Sequence, residues 1–159
     1  MMRIAVTGHR GLPGPTARLV DAALRAELAR RNDGALVGLS NLADGADQLF
    51  ARAILDAGGT LEVVVPAEHY RAGLPPESWP EYDALLARAA SVNRLGRVES
   101  DAEAHMRASE ELLERADLLL AVWDGNPARG YGGTADVVAR ARKDRLPVVV
   151  IWPDGATRD

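Results

Sequence analysis

The chain has 159 residues, a formal net charge of −4 and no cysteine. The length suits one domain with a self-sufficient core, and the missing cysteine excludes disulfides, thiolate metal sites and cysteine nucleophiles within this chain. The acidic balance argues against a protein that tracks nucleic-acid phosphates, which is ordinarily strongly basic.

Met2 to Val6 is a short apolar run stopped by Thr7-Gly8, and it reads as a buried first strand. Residues 7–15 form a turn-rich loop. A helix opens at Pro15 or Thr16, carries Leu19, Val20, Ala23, Leu24 and Leu28 on one side, and ends at Asn32-Asp33-Gly34. Ala35 to Leu39 is a second apolar run, stopped by Ser40-Asn41. Ala46, Leu49, Phe50, Ala53, Ile54 and Ala57 fall at helical spacing and predict a second helix, ended by Gly58-Gly59. Leu61 to Val65 is the third strand.

Residues 66–81 break this alternation. They hold Pro66, Pro75, Pro76 and Pro80, with Tyr70, Trp79 and Tyr82 in or beside them, and they read as a long loop of the kind that often serves as a lid or binding loop. A helix is predicted from about Tyr82 to Ala90, a short strand at Arg94–Val98, and a helix over 101–116 with Met106, Ser109, Leu113 and Ala116 on one side. The face beside Met106 and Leu113 suits either a core or a dimer interface. Leu118 to Val122 is a strongly apolar strand, Thr134 to Lys143 a helix, and Pro147 to Trp152 the last strand. Residues 153–159 read as a flexible tail.

Strands alternate with helices, and the strands are continuous apolar runs. That is the pattern of a mostly parallel sheet covered on both faces, a single three-layer α/β/α domain spanning 1–159. No run of about 18 apolar residues offers a membrane span. Arg3-Ile4-Ala5-Val6 follows without a signal-peptide layout, so a cytoplasmic protein is expected.

In such a sheet, ligands bind beyond the carboxyl ends of the strands. The polar residues of this chain collect there: Thr7-Gly8-His9-Arg10, Ser40-Asn41 with Asp44-Gly45-Ala46-Asp47, and Trp123-Asp124-Gly125 ahead of Arg129 and Gly132-Gly133-Thr134. A strand, a glycine-rich turn and a helix in succession make an anion site, because the first amides of a helix lack partners and the helix dipole is positive at that end. Gly8, Gly45, Gly132 and Gly133 can bring backbone amides to a phosphate. Arg10 and Arg129 can pair with it bidentately. Asp44, Asp47, Asp124 and Asp136 suit ribose hydroxyls or a base amino group. Tyr70, Trp79 or Trp123 can stack on a base. Each has a plainer alternative: Asp44 and Thr134 as helix caps, the tryptophans as core cover, His9 as a hydrogen-bonding loop residue. The three histidines show no ligand spacing, and no metal site is expected.

Two nucleotide motifs are missing. There is no G-x-x-x-x-G-K-[ST]. The first loop is G-x-x-G-x-x-G (Gly8, Gly11, Gly14), and no acidic residue ends the second strand, where a dinucleotide's ribose would be held.

Taken together, Val6-Thr7-Gly8-His9-Arg10, Ser40 to Asp47 and Gly132-Gly133-Thr134 resemble the SLOG superfamily of Rossmann-like domains. That group includes the LOG phosphoribohydrolases and the DNA-processing protein DprA. The likeness runs over roughly residues 3–152. It implies a Rossmann-like fold that binds a nucleotide or nucleotide-derived ligand, often as a homodimer or higher homo-oligomer. The LOG pattern is Pro-Gly-Gly-x-Gly-Thr-x-x-Glu, with the glutamate catalytic. Aligned on Thr134, that position holds Val137, and Gly130 is not part of a Pro-Gly-Gly. Asp136 is the nearest carboxylate, turned away by about 100° on a helix.

The leading expectation is a sensor or carrier for a nucleotide-type ligand, with no other cofactor required and nucleic acid disfavoured by the charge. Gly132, Gly133 and Thr134, with Gly8 and Arg10, would hold phosphate, and Asp47 and Asp124 the sugar or base. The alternative is N-glycosidic hydrolysis of a nucleoside monophosphate, with Asp136, Asp124 or Asp47 as carboxylate and His9 as acid–base. A third reading is an interaction domain whose cleft is filled by Trp79 and Tyr70.

Overall fold

The computed structural model describes residues 1–158. Among them, six strands form one sheet: β1 (Met2–Gly8), β2 (Leu36–Ser40), β3 (Thr60–Val65), β4 (Ser91–Arg94), β5 (Leu118–Val122) and β6 (Val148–Ile151). Their order is β4-β3-β2-β1-β5-β6, and every neighbouring pair is parallel. Five α-helices join them: α1 (Gly14–Arg31), α2 (Ala46–Asp56), α3 (Trp79–Arg88), α4 (Ala102–Arg115) and α5 (Thr134–Lys143). The architecture is the single-domain α/β/α sandwich expected from the apolar runs.

The alternation of side chains along each strand divides the core between two faces. Ile4, Val6, Leu118, Leu120 and Val122 pack against Val20, Leu24 and Leu28 of α1 and Phe50 and Ile54 of α2. Ala5, Leu39, Val64 and Leu119 point the other way, onto Met106 and Leu112 of α4 and Val137 and Ala141 of α5. A third cluster ties Leu61, Val63 and Val65 to Tyr70 and to Tyr82 and Leu85 of α3. Each such fully buried large apolar side chain contributes about 1.5–3 kcal/mol. Met106 and Leu113, which suited either a core or an interface, are buried in the domain's own core.

The chain lays down β1 to β4 outward in one direction. α4 then returns it across the sheet to place β5 beside β1, in register from Ile4↔Leu118 to Gly8↔Val122. This reversal leaves a crevice between the carboxyl ends of β1 and β5, where loops part to opposite faces.

Several features differ from the sequence expectation by more than a residue or two. The fourth strand is Ser91–Arg94 rather than 94–98. It is an edge strand with only Val92 apolar, so it gives no hydrophobic signal. Residues 97 and 98 instead accept amide bonds from Glu68 and His69 at 2.9 and 3.1 Å. α3 begins at Trp79, three residues before Tyr82, because Pro80 fits the first turn, where its missing N–H costs nothing. The proline-rich segment contains two 3₁₀ turns, Arg71–Gly73 and Pro76–Ser78. At the other end of the chain, residues 153–158 lie along α1. Thr157 exchanges two hydrogen bonds with the buried Thr16 hydroxyl, at 2.9 and 3.0 Å.

Candidate functional site

The exit of β1 is pressed against the start of α2. A Cβ on Gly8 would lie 2.4 Å from Ala46 Cβ and 2.8 Å from Val122 Cβ. Gly45 has φ +86°, and a Cβ there would meet the His9 carbonyl oxygen at 2.6 Å. The Ala46 amide donates to that same carbonyl at 3.2 Å. These two glycines therefore bring protein against protein. The β2–α2 loop is also closed on itself. Ser40 Oγ donates to the Asp47 carbonyl at 3.1 Å and accepts the Leu42 amide at 3.0 Å. Leu42, fully buried, is held at φ +59°, a conformation that costs a non-glycine residue about 1 kcal/mol or more.

Asp44 does not cap α2, which starts without a side-chain cap. Its two carboxylate oxygens accept from Arg10 Nε at 2.8 Å and the Gly11 amide at 3.0 Å, so it fixes the β1–α1 loop.

The β5–α5 loop is built differently. Gly132, at φ +84°, donates its amide to Asp136 Oδ2 at 2.9 Å, and Gly133 donates to the Gly130 carbonyl at 3.2 Å. Asp136 sits in the first turn of α5 and reaches back to the loop, as a capping carboxylate does. Thr134 is the first residue of the helix, not its cap. The amides of Thr134 and Ala135, which precede the helix's own ladder, donate to no protein acceptor among the described residues.

His9 joins the two halves. It is 2 % exposed. Its Nε2 accepts the Asp124 amide at 3.0 Å, and its Nδ1 lies 3.4 Å from Thr134 Oγ1. A lone pair on Nε2 places the ring proton on Nδ1, directed at the threonine. Burial and the nearby Arg158 lower its proton affinity, against Asp124, whose Oδ1 is 3.2 Å from Nε2. His9 is thus held neutral, with both nitrogens committed to protein partners. The edge of its ring also packs on Trp152, centroids 5.5 Å apart. Asp124 in turn accepts from the amide and side chain of Asn126, at 2.9 and 3.1 Å.

Between these loops lies a cleft of about 310 Å³ at the β1/β5 crevice. Of the residues singled out in the sequence, Thr7, Gly8, His9, Arg10, Asp47, Arg129, Gly132, Gly133 and Thr134 line it. Ser40, Asp44, Gly45, Asp124, Gly125 and Asp136 do not; five of these make the positioning contacts described above or close the β1–α2 gap, and Gly125 supplies a positive-φ turn. Tyr70 also lines the cleft. Trp79 is elsewhere, under the Arg71 guanidinium 4.4 Å from its ring, and Trp123 faces Arg142 at 5.9 Å. The proline-rich segment therefore walls the cleft without filling it.

Asn41, which the sequence placed at the rim without a role, lines the cleft, as do His105, Ser109 and Arg158, which carried no signal as site residues. Asn41 is identified by its burial: Nδ2 donates to the Val64 carbonyl at 2.9 Å, fixing the side chain at the rim. His105 Nε2 bonds Ser100 Oγ at 2.7 Å, and burial and Arg10 lower its proton affinity.

The cleft carries both signs of charge: Arg10, Arg129 and Arg158 line it together with Asp47 and Tyr70, and Arg10 acts on both Asp47 and Tyr70. Burial pushes the Asp47 carboxyl up to about 7, opposed by the Ala43 amide that it accepts at 3.3 Å and by Arg10, and reinforced by Asp44. Burial likewise holds the Tyr70 hydroxyl well above its ordinary range, so it is a neutral donor.

No protein-family model and no curated protein matches the sequence. Solved structures match in fold. DNA processing protein A from Streptococcus pneumoniae superposes with a TM-score of 0.69 at 16 % identity, covering 98 % of this chain and 52 % of that one. The molybdenum cofactor binding protein from Rippkaea orientalis gives 0.61 at 16 %, covering 96 % and 77 %. The Moco carrier protein from Chlamydomonas reinhardtii gives 0.56 at 20 %, covering 94 % and 75 %. The chain shares their fold. It is a Rossmann-like fold, as the alternation of strands and helices implied, and the chain spans about half the length of the pneumococcal protein. Among the described residues, no helix is long and apolar enough to cross a membrane.

Proposed function

We propose that this domain binds a nucleotide or nucleotide-derived ligand in the β1/β5 cleft, as a sensor or carrier. The observation that carries this reading is the convergence of the α5 N-terminus with Arg10, Arg129 and Arg158 on one cleft at the topological reversal of the sheet. The phosphate lies at the Thr134 and Ala135 amides, where the helix dipole and the arginines favour negative charge. The sugar and base extend towards Asn41, Asp47 and Tyr70, where a hydrogen-bonding edge and an aromatic wall meet. A volume of about 310 Å³ suits a small molecule. Binding or carrying a cofactor is how two of the structures with this fold are described, which supports a carrier role. A thermal-shift panel of AMP, ADP-ribose and cyclic AMP tests the reading. At about 100 times Kd a ligand adds about 2.7 kcal/mol of stability. The absence of any shift at millimolar concentration contradicts it.

A second reading is hydrolysis of the N-glycosidic bond of a nucleoside monophosphate. It is favoured by one observation: Asp47 lines the cleft with its carboxyl poised at about 7, a value suited to general acid or base work. Asp136 and Asp124, the other carboxylates considered, are bonded to the loops they stabilise. Release of adenine from AMP that is lost in Asp47→Asn supports this reading; AMP intact after prolonged incubation rejects it.

A further inference from the structure

The last segment of the chain is fastened to the cleft rather than trailing from the last strand. After β6, Pro153 to Ala156 makes a tight turn closed by an Ala156 amide to Pro153 carbonyl bond of 3.0 Å. Gly155 sits in it at φ +88°, a conformation that glycine adopts without strain. The turn sends the chain back over α1. There Thr16, 1 % exposed, uses one hydroxyl twice: it accepts the Thr157 amide at 2.9 Å and donates to the Thr157 carbonyl at 3.0 Å. A buried hydroxyl with both capacities spent on one residue fixes the backbone at that point.

The next residue is Arg158. Its side chain is 21 % exposed and lines the cleft together with Arg129 and Thr134. Among the described residues its nearest carboxylate oxygen is Asp124 Oδ2, 4.0 Å from Nη1, too long for a hydrogen bond. Asp124 already accepts from Asn126 and contacts His9. The guanidinium is therefore brought to the cleft by the segment behind it, through the Thr16 clasp, and not drawn there by a tight ion pair.

We propose that Arg158 is an anion-binding residue of the cleft, delivered by a C-terminal strap that the Thr16–Thr157 clasp holds over α1. The proposal rests on the reading that the cleft takes a phosphorylated ligand. It goes beyond that reading in assigning part of the affinity to a segment outside the strand–loop–helix cradle. In this arrangement the anion is gripped from two sides, by the α5 amides and by the strap.

Calorimetric titration of the full chain with AMP, and with adenosine as the uncharged comparator, tests this. Arg158→Gln weakens AMP by about tenfold, the worth of a charge-assisted bond at a partly exposed site, and leaves adenosine unchanged. Arg158→Lys recovers part of that loss. Thr16→Val, which frees the strap without touching the cleft, weakens AMP by about threefold, the worth of a loosened positioning contact. Wild-type affinity for AMP in Arg158→Gln, with a loss in Arg129→Gln, overturns the strap and leaves the cleft reading standing. An equal loss for AMP and adenosine also overturns it, because Arg158 would then act only through Asp124 and the loop. If the native chain binds neither AMP nor any other member of the thermal-shift panel, both readings fall together.

Discussion

The β2–α2 loop and the β5–α5 loop both leave a strand at the same rim, both carry a glycine at positive φ just before a helix, and both contain an aspartate in that helix's first turn. In the first, Ser40, Asn41, Leu42, Ala43 and Asp44 are all buried, and Gly45 presses backbone on backbone. In the second, Tyr131 is 64 % exposed, and the amides that open α5 face no protein acceptor among the described residues. The aspartates diverge as well. Each accepts the amide four residues back, Asp136 from Gly132 and Asp47 from Ala43, but only Asp47 also lines the cleft. The glycines are crowded in both loops, for a Cβ on Gly133 would lie 2.9 Å from Ala128 Cβ. The loops differ in the amides that follow, since Ala46 donates its amide to the His9 carbonyl and Thr134 and Ala135 donate theirs to no described protein acceptor.

The sharpest way to break that contrast is at Gly45. Alanine there meets both a positive φ and the His9 carbonyl at 2.6 Å, and the expected cost is about 3 kcal/mol in urea denaturation. An alanine at Gly130, whose Cβ would meet nothing within 4 Å, stays close to wild type by the same measurement. Equal effects at the two sites would mean that the crowding at Gly45 does not hold the β2–α2 loop.

Asp47 gives a smaller effect with a definite sign. Its folded pKa, about 7, lies above the ordinary 3.8. Between those values the unfolded chain has released a proton that the folded chain keeps, so stability falls as pH rises through the window and levels off above it. Asp47→Asn removes that slope and is more stable than the native chain by about 2 kcal/mol at pH 8. Melting curves from pH 4 to 8 check this; parallel profiles for the two proteins contradict it.

Smaller again is Asp136→Ala. It removes the bond to the Gly132 amide and costs about 1 kcal/mol, the usual worth of a capping carboxylate. Because Asp136 shapes the loop without lining the cleft, AMP affinity falls in the same variant by only a few-fold, read by calorimetry.

Most of the fold was legible because its strands are unbroken apolar runs, and their alternation with helical spacing admits few other architectures. β4 escaped because Ser91-Val92-Asn93-Arg94 is a half-exposed edge with no such run. The site was legible as a set of loops but not as a set of roles. Sequence places Asp44, Asp124 and Asp136 at the rim. Only the structure shows that each is bonded to a loop and lies off the cleft, while Asp47, bonded to the Ala43 amide, also lines it. Arg158 was invisible for another reason. The clasp that carries it joins residues 141 positions apart, and nothing local in Ala-Thr-Arg announces it.

The central claim, that the start of α5 receives the ligand's phosphate, is tested most directly by an amide proton–nitrogen correlation spectrum titrated with AMP, ADP-ribose and cyclic AMP in turn. The account predicts saturable shifts at the Thr134 and Ala135 amides with at least one of them, and little change at Leu42, which is fully buried and whose amide is bonded to Ser40 Oγ. Saturable shifts confined to residues 40–47, or no shifts at all, would contradict it.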